Sequence, residues 1–322
     1  MAGAVARLRQ AENTAGLRRP RARGSLGGKV RRHATAHAFL AGAVICFAFF
    51  AWYPMIREII MSFQKTSLGV TSWAGWANYV RIYHDPEFWQ AWRNTLEFTV
   101  LALILGYAVP FFAAIVLNEL RHAKGYLRAL VYLPVMLPPA SALLLFGYFY
   151  DPTYGLFNHV LQILHLPTSQ WVQSPGTTPP TAAMISIVIA STWMNMGGAT
   201  LIYLAALQNI PGELYEAAEL DGAGILRRIR HVTVPQTRLI LSMLLMLQVV
   251  ATMQMFTEAF ILTNGGTGVN DNTVTVVNLI YQYAFAMSGA SNYNSASALG
   301  VILMLVLALF SGGYLWLSRE RG

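Results

Sequence analysis

Six runs of mostly apolar residues, at 36–61, 95–118, 129–150, 181–207, 238–262 and 296–318, alternate with polar stretches of unequal charge. Crossing the hydrocarbon core of a bilayer takes about 20 apolar residues in a helix. Each run is long enough, so the pattern predicts six membrane-spanning helices. The third run carries Pro134, Pro138 and Pro139; prolines remove backbone donors, which predicts a break or kink inside that span. Between the first two runs, residues 66–94 hold Trp73, Trp76, Tyr79, Tyr83, Trp89 and Trp92. Such aromatics form interfacial belts, a reading preferred here over a sugar-stacking surface. Residues 151–180 lack Lys and Arg, and their Pro and Thr content after Leu166 predicts irregular structure. Residues 263–295 open with the turn-rich TNGGTGVNDN and continue as VTVVNLIYQYAFA, either a short helix or the lower part of span six.

Composition agrees with the pattern. Of 322 residues, 55% are hydrophobic and 11% charged, whereas soluble domains are about one quarter charged. The net charge of +8 would fit a nucleic-acid partner, but its placement argues otherwise. Nine basic residues between Arg7 and Arg32 precede the first span. Arg121, Lys124 and Arg128 follow the second span, Arg227, Arg228, Arg230 and Arg238 follow the fourth, and Arg319 and Arg321 follow the sixth. The opposite side has Lys65, Arg81 and Arg93, with Arg57 at the end of span one. The positive-inside bias then places both termini in the cytoplasm, and no nucleic acid is expected as a partner. The first span is too long for a signal-peptide core and lacks a convincing small-residue cleavage site, so it reads as an uncleaved anchor in the lipid bilayer. Residues 1–35 form a basic tail expected to be disordered, and residues 36–320 a single membrane domain. The lone Cys46 excludes an internal disulfide and is expected to be a small packing residue.

Catalytic patterns are missing. The chain has no HExxH, CxxC or GxSxG, and no GxxxxGK[ST] phosphate loop. His33, His37, His84, His122, His159, His165 and His231 are scattered without metal-ligand spacing. No catalytic residue, metal or cofactor is expected on this chain, and energy must come from elsewhere. Glu97 and Glu258 are expected near span ends, which leaves no mid-membrane carboxylate for the relay of an ion-coupled secondary transporter, the alternative reading. Spans four and five carry Trp193, Asn195, Gln248, Thr252, Gln254 and Glu258. Such residues either bond neighbouring helices or line a pathway. Amides beside an indole ring suit a neutral sugar, whose hydroxyls need donors and acceptors and whose apolar face stacks on the ring.

Between spans four and five lies YEAAELDGAGILRRIRHVTVP, Tyr215 to Pro235. Asn209 and Pro211 predict a helix start, with Glu213 and Glu216 in the first turns, where the helix dipole favours acids. Asp221-Gly222 predicts its end. A second short helix is expected from about Gly224, with Leu226, Ile229 and Ile225 apolar and Arg227, Arg228 and Arg230 solvated, until Pro235 stops it. Two uses fit this hairpin: an interfacial loop whose arginines touch anionic lipid, or a small-residue face, Ala217, Ala218 and Ala223, that admits a partner protein.

The stretch resembles the EAA loop of ABC importer permeases, specifically the carbohydrate-uptake branch related to the maltose and glycerol-phosphate systems. The matching residues are Glu216, Ala217, Ala218, Asp221, Gly222, Ala223, Ile229, Val232 and Pro235. The family usually has Phe where Ile229 stands and Pro where Leu239 stands. NTLEFTV, YLPVMLPPASALL, GLFN and FILTNGG follow in family order, with Thr267 where Pro is common. The resemblance covers residues 37 to 320 and implies an all-α, polytopic protein with six transmembrane helices and the type I importer fold. It implies residence in the bacterial plasma (inner) membrane. The implied partners are a second homologous permease subunit, a cytoplasmic ABC ATPase dimer carrying the ATP and Mg, an external solute-binding protein and a sugar substrate, most simply a di- or oligosaccharide. The coupling loop, 212–236, would dock on the ATPase, with Glu216 and Asp221 in polar contact and Gly222 holding the turn. A phosphorylated substrate is disfavoured, because spans two to six offer no buried Lys or Arg for it.

Overall fold

A computed structural model of the chain describes residues 39–67, 69–120, 124–176, 178–286 and 290–319. The expected basic tail, His33, His37, Arg121, His122 and Arg321 lie outside the described residues. By its contacts the chain divides at Arg57, and the two parts are taken separately. The first holds most of helix α1 (Phe39–Ser62), with a π turn at Ala48–Trp52. Its apolar side chains Phe39, Phe49 and Phe50 are exposed. Cys46, expected to pack, is exposed as well; for a helix in lipid, outward apolar side chains meet hydrocarbon and need no protein partner.

After α1 the chain forms an antiparallel hairpin, β1 (Gln64–Ser67) and β2 (Val70–Trp73), which the residue pattern did not announce. Buried Asn78 donates from Nδ2 to the carbonyls of Ser62 and Gln64, both at 2.8 Å, and closes the turn between helix and hairpin. Asn294 accepts from Thr66 N at 2.9 Å and donates to Met61 O at 3.0 Å. The short helix α2 (Ala77–Tyr83) follows. Trp73 and Trp76 stay exposed and pack on Phe63, one stacked and one edge-on.

Helix α3 (Pro86–Glu119) has 34 residues. Asp85 caps it by accepting from Glu87 N, and Pro86 takes the first turn, where its missing N–H costs nothing. It packs along α7 (Ala182–Gln208), whose cap Thr181 accepts from Met184 N. The third apolar run is two helices, α4 (Lys124–Tyr132), extended by a 3₁₀ turn at Leu133–Met136, and α5 (Pro139–Phe149). They meet at 96°, as the prolines predicted. Gly197 of α7 lets the end of α4 pack closely on α7, since a Cβ there would lie 2.7 Å from the Val131 carbonyl. Helix α6 (Leu156–Ile163) and a turn at Trp171–Gln173 precede α7.

Next come α8 (Gly212–Leu220) and α9 (Ile225–Met253). Here the structure corrects two expectations. Pro235 does not stop a short helix: α9 continues through a π turn at Ile229–Thr233 and on into the membrane span. Pro235 sits in the first turn after that wider loop, where a missing N–H is tolerated. Nor is residues 238–262 one span. Helix α9 ends at Met253, Gln254 to Phe256 are not helical, and α10 (Thr257–Leu262) resumes. Helix α11 (Val276–Tyr281) runs into a π turn at Gln282–Ala286, and α12 covers Ala290–Arg319, so VTVVNLIYQYAFA is mostly helical. Among the described residues five helices are long and apolar enough to cross a membrane, and six if the bent α4–α5 pair counts as one span.

Three clusters hold the second part together. Phe98, Leu143, Phe146, Tyr150, Met184 and Ile187 join α3, α5 and α7. Ile82, Phe88, Val276, Leu279 and Leu299 join α2, α3, α11 and α12. Phe111, Leu117, Tyr203 and Leu207 join α3 and α7 near the α8–α9 hairpin.

Candidate functional site

Two regions carry chemistry, a hairpin at one end and a cavity among the spans. In the hairpin, α8 ends at Leu220 and the turn passes through Gly222 at φ +72°. Gly222 N donates to Glu219 O and Ala223 N to Ala218 O, both at 2.9 Å, so the last carbonyls of α8 are satisfied within the turn. No atom lies within 4 Å of a Cβ at Gly222, so the requirement for glycine is conformational. Glu216, Ala217, Asp221 and Pro235 are exposed, while Ala218, Ala223 and Ile229 are half-buried. Leu220 is 90% exposed and Leu226 81%, which leaves large apolar side chains at the turn without cover. Tyr215 OH and Thr233 Oγ1 lie 3.1 Å apart and fasten α8 to α9. Arg228, expected in solvent, instead pairs with Glu219, and its side chain is 15% exposed. The pair bridges the two arms beside the turn, whereas Arg227 and Arg230 are exposed as expected.

A cavity of about 380 Å³ opens between α3, α7, α9 and α10. Five of the six pathway residues read from the sequence meet on its wall: Asn195 from α7, Gln248 and Thr252 from α9, Gln254 from the break and Glu258 from α10. Trp193 is not on the wall; it packs edge-on to Phe146 at 5.3 Å between centroids. Ser191, Thr192, Thr257 and Gly106 are on it. Gly106 matters because a Cβ there would stand 2.8 Å from Gln248 Nε2, so its absence leaves the amide room to lie across α3. The break beside the cavity follows membrane logic, in which irregular backbone is tolerated only where it lines a cavity or is buried in protein. Thr275, 1% exposed, donates its hydroxyl to Met255 O at 2.9 Å and so satisfies a carbonyl that the helix would otherwise have bonded.

Glu97 lies at a span end, as expected, but is not in solvent there: it is 9% exposed, and its Oε1 accepts from Thr181 N at 2.6 Å and from Thr181 Oγ1 at 3.1 Å, tying α3 to the start of α7. Its partner is 84 positions away in sequence, so no local pattern announces it. Among the described residues no group of three or more His, Cys, Asp or Glu is placed to hold a metal ion.

Comparison with known proteins gives these features a context. Residues 104–321 match the family described as the binding-protein-dependent transport system inner membrane component. The probable ABC transporter permease protein YurN of Bacillus subtilis is 33% identical over 279 residues, 85% of this chain and 92% of its own length. The trehalose/maltose transport system permease protein MalF of Thermococcus litoralis is 31% identical over 84% of this chain and 86% of its own. A chain of a crystallised bacterial ABC transporter involved in the import of the acidic polysaccharide alginate superposes with a TM-score of 0.80, covering 92% of this chain and 98% of its own at 23% identity. At that identity the likeness bears on the fold alone.

Proposed function

This chain belongs to the family of binding-protein-dependent transport system inner membrane components, and on that premise we propose that it forms one half of a sugar path through the inner membrane. It is a multi-pass transporter subunit and not an enzyme. Two observations support the reading. The cavity gathers Asn195, Gln248, Thr252, Gln254 and Glu258, side chains able to exchange hydrogen bonds with hydroxyl groups, beside the aromatic ring of Phe98. The hairpin offers a turn fixed by Gly222 with Leu220 and Leu226 exposed beside the acidic Glu216 and Asp221.

In this reading the hairpin lies in the cytoplasm and docks on a separate ATPase dimer, which holds the ATP and Mg. Closure of that dimer pushes the hairpin, and α9 carries the displacement to the cavity wall because it runs unbroken in direction from Ile225 to Met253. A second, homologous permease completes the path. An external binding protein delivers the sugar to the opposite face, formed by the β1–β2 hairpin and the loops at 151–180 and 263–295. Both termini are cytoplasmic, residues 36–320 work as one membrane domain and residues 1–35 form a tail outside it.

The deciding experiment purifies the membrane-extracted chain from its host and looks for a Walker-motif ATPase, beside a Glu216→Lys, Gly222→Val double variant. The ATPase is expected with the wild type alone. Its absence, together with uptake that follows an ion gradient, would replace this reading with that of a secondary carrier.

A further inference from the structure

The cavity wall is one-sided in charge. Among the described residues that line it, Glu258 carries the single formal charge, and the wall has no Lys, Arg or His. Glu258 Oε1 accepts from Ser191 Oγ at 3.2 Å, which sets the carboxylate against α7. The amides are polar but uncharged. Asn195 Nδ2 donates to Ser191 O at 2.9 Å, Gln254 Nε2 to Val250 O at 3.0 Å and Gln248 Nε2 to Ala102 O at 3.5 Å. Each amide thus spends one N–H on a backbone carbonyl and keeps its second N–H and its oxygen for whatever enters. A wall that both gives and takes hydrogen bonds, with one carboxylate and no cation, favours hydroxylated ligands that carry no negative charge.

We propose that Glu258 makes this path selective for charge: it passes hydroxylated solutes that are neutral or bear an ammonium group and holds back those bearing carboxylate, sulfonate or phosphate. The proposal rests on reading the cavity as the solute path. Within about 6 Å of the carboxylate, at an effective dielectric near 40, one unit charge changes local concentration roughly tenfold. Cations and anions therefore separate by up to the square of that factor. Glu258 is the specificity-determining residue, and Ser191 is a positioning residue that acts through it.

The test needs no knowledge of the natural sugar. In the assembled transporter carrying Cys46→Ser, Thr257→Cys places a thiol on the cavity wall. Its modification rate is measured with 2-aminoethyl, 2-hydroxyethyl and 2-sulfonatoethyl methanethiosulfonate, each divided by the rate with a small thiol in solution. The neutral reagent cancels any change in how readily the thiol ionises. The cationic reagent is expected to outpace the anionic one by about tenfold or more, with the ratio falling towards one in Glu258→Gln and reversing in Glu258→Lys. A ratio that Glu258→Gln leaves unchanged would overturn the proposal. Ala251→Cys repeats the measurement from α9 if Thr257→Cys fails to assemble. A ratio governed by Glu258 in a transporter that moves no sugar would sink the sugar reading and keep the filter. Sugar uptake with a ratio blind to Glu258 would do the reverse.

Discussion

Two helix breaks differ in how they are built. At Asp221-Gly222 the chain turns in the open: Gly222 takes φ +72°, the turn satisfies its own carbonyls, and no other element is needed. At Gln254 to Phe256 the chain breaks beside an internal cavity with neither Gly nor Pro present, and the exposed Met255 carbonyl is satisfied by Thr275, 20 positions further on. Water forgives an unmade hydrogen bond and hydrocarbon does not. The first break is therefore written in local sequence and the second in tertiary contacts, and they should respond to mutation differently.

The largest effect is expected at the local break. A β-branched side chain at φ +72° is strained by about 1–2 kcal/mol, enough to redirect the hairpin at its turn. Gly222→Val should cut sugar uptake at least tenfold in the assembled transporter while the chain still reaches the membrane, as read by blotting. Gly222→Asn, which tolerates the left-handed region, should keep most of it. Equal uptake by both variants would show that the turn conformation does not matter. Next come the cavity wall residues: Asn195→Leu and Gln254→Leu are expected to lower uptake severalfold without loss of ATPase association, and normal uptake in both would make these amides simple helix bonds.

At the tertiary break the effect is one of stability. Thr275→Val leaves Met255 O unsatisfied at about 1–3 kcal/mol, and the thermal midpoint of the purified protein should fall by several degrees, at about 2–4 °C per kcal/mol. A midpoint within 1 °C of wild type, to within that estimate, would mean that water reaches the carbonyl. The smallest change is expected from Glu219→Gln, which breaks the pair with Arg228 near the surface and should cost about 0.2–1 kcal/mol, measured as a slight loss of ATPase affinity.

What could be read in the chain follows the same division. The spans were visible because hydrocarbon demands long apolar runs, the 96° bend because three prolines sit within six positions, and the hairpin turn because Asp-Gly ends helices. Pro235 was misread because proline punctuates helices in general, whereas the π turn at Ile229–Thr233 moves it into a first turn. The burial of Glu97 and of Arg228 is not legible locally because each is decided by a partner elsewhere, Thr181 and Glu219. Of the residues proposed for the path, those on one side of α7 and α9 converge on the cavity, while Trp193, two positions from Asn195, faces Phe146. Two residues rotate a helix by about 200°, which puts them on opposite sides, and polarity alone does not say which side faces inward.

The length of α3 has a mechanical meaning. Its 34 residues span about 51 Å, against a hydrocarbon thickness of about 30 Å, so if it tilts it is a lever longer than the medium it crosses. Near its start, Gln90 and Asn94 grip the carbonyl of Asp271, while Asn272 holds those of Ser174 and Gly176. The loops at 174–176 and 270–274 are thereby riveted to the tip of the arm. Tilting the arm by about 10° about its far end would sweep these loops, held about 40 Å away, through roughly 7 Å at 1.5 Å of rise per residue, so that a small angular input at the hairpin end would become a large stroke at the opposite end.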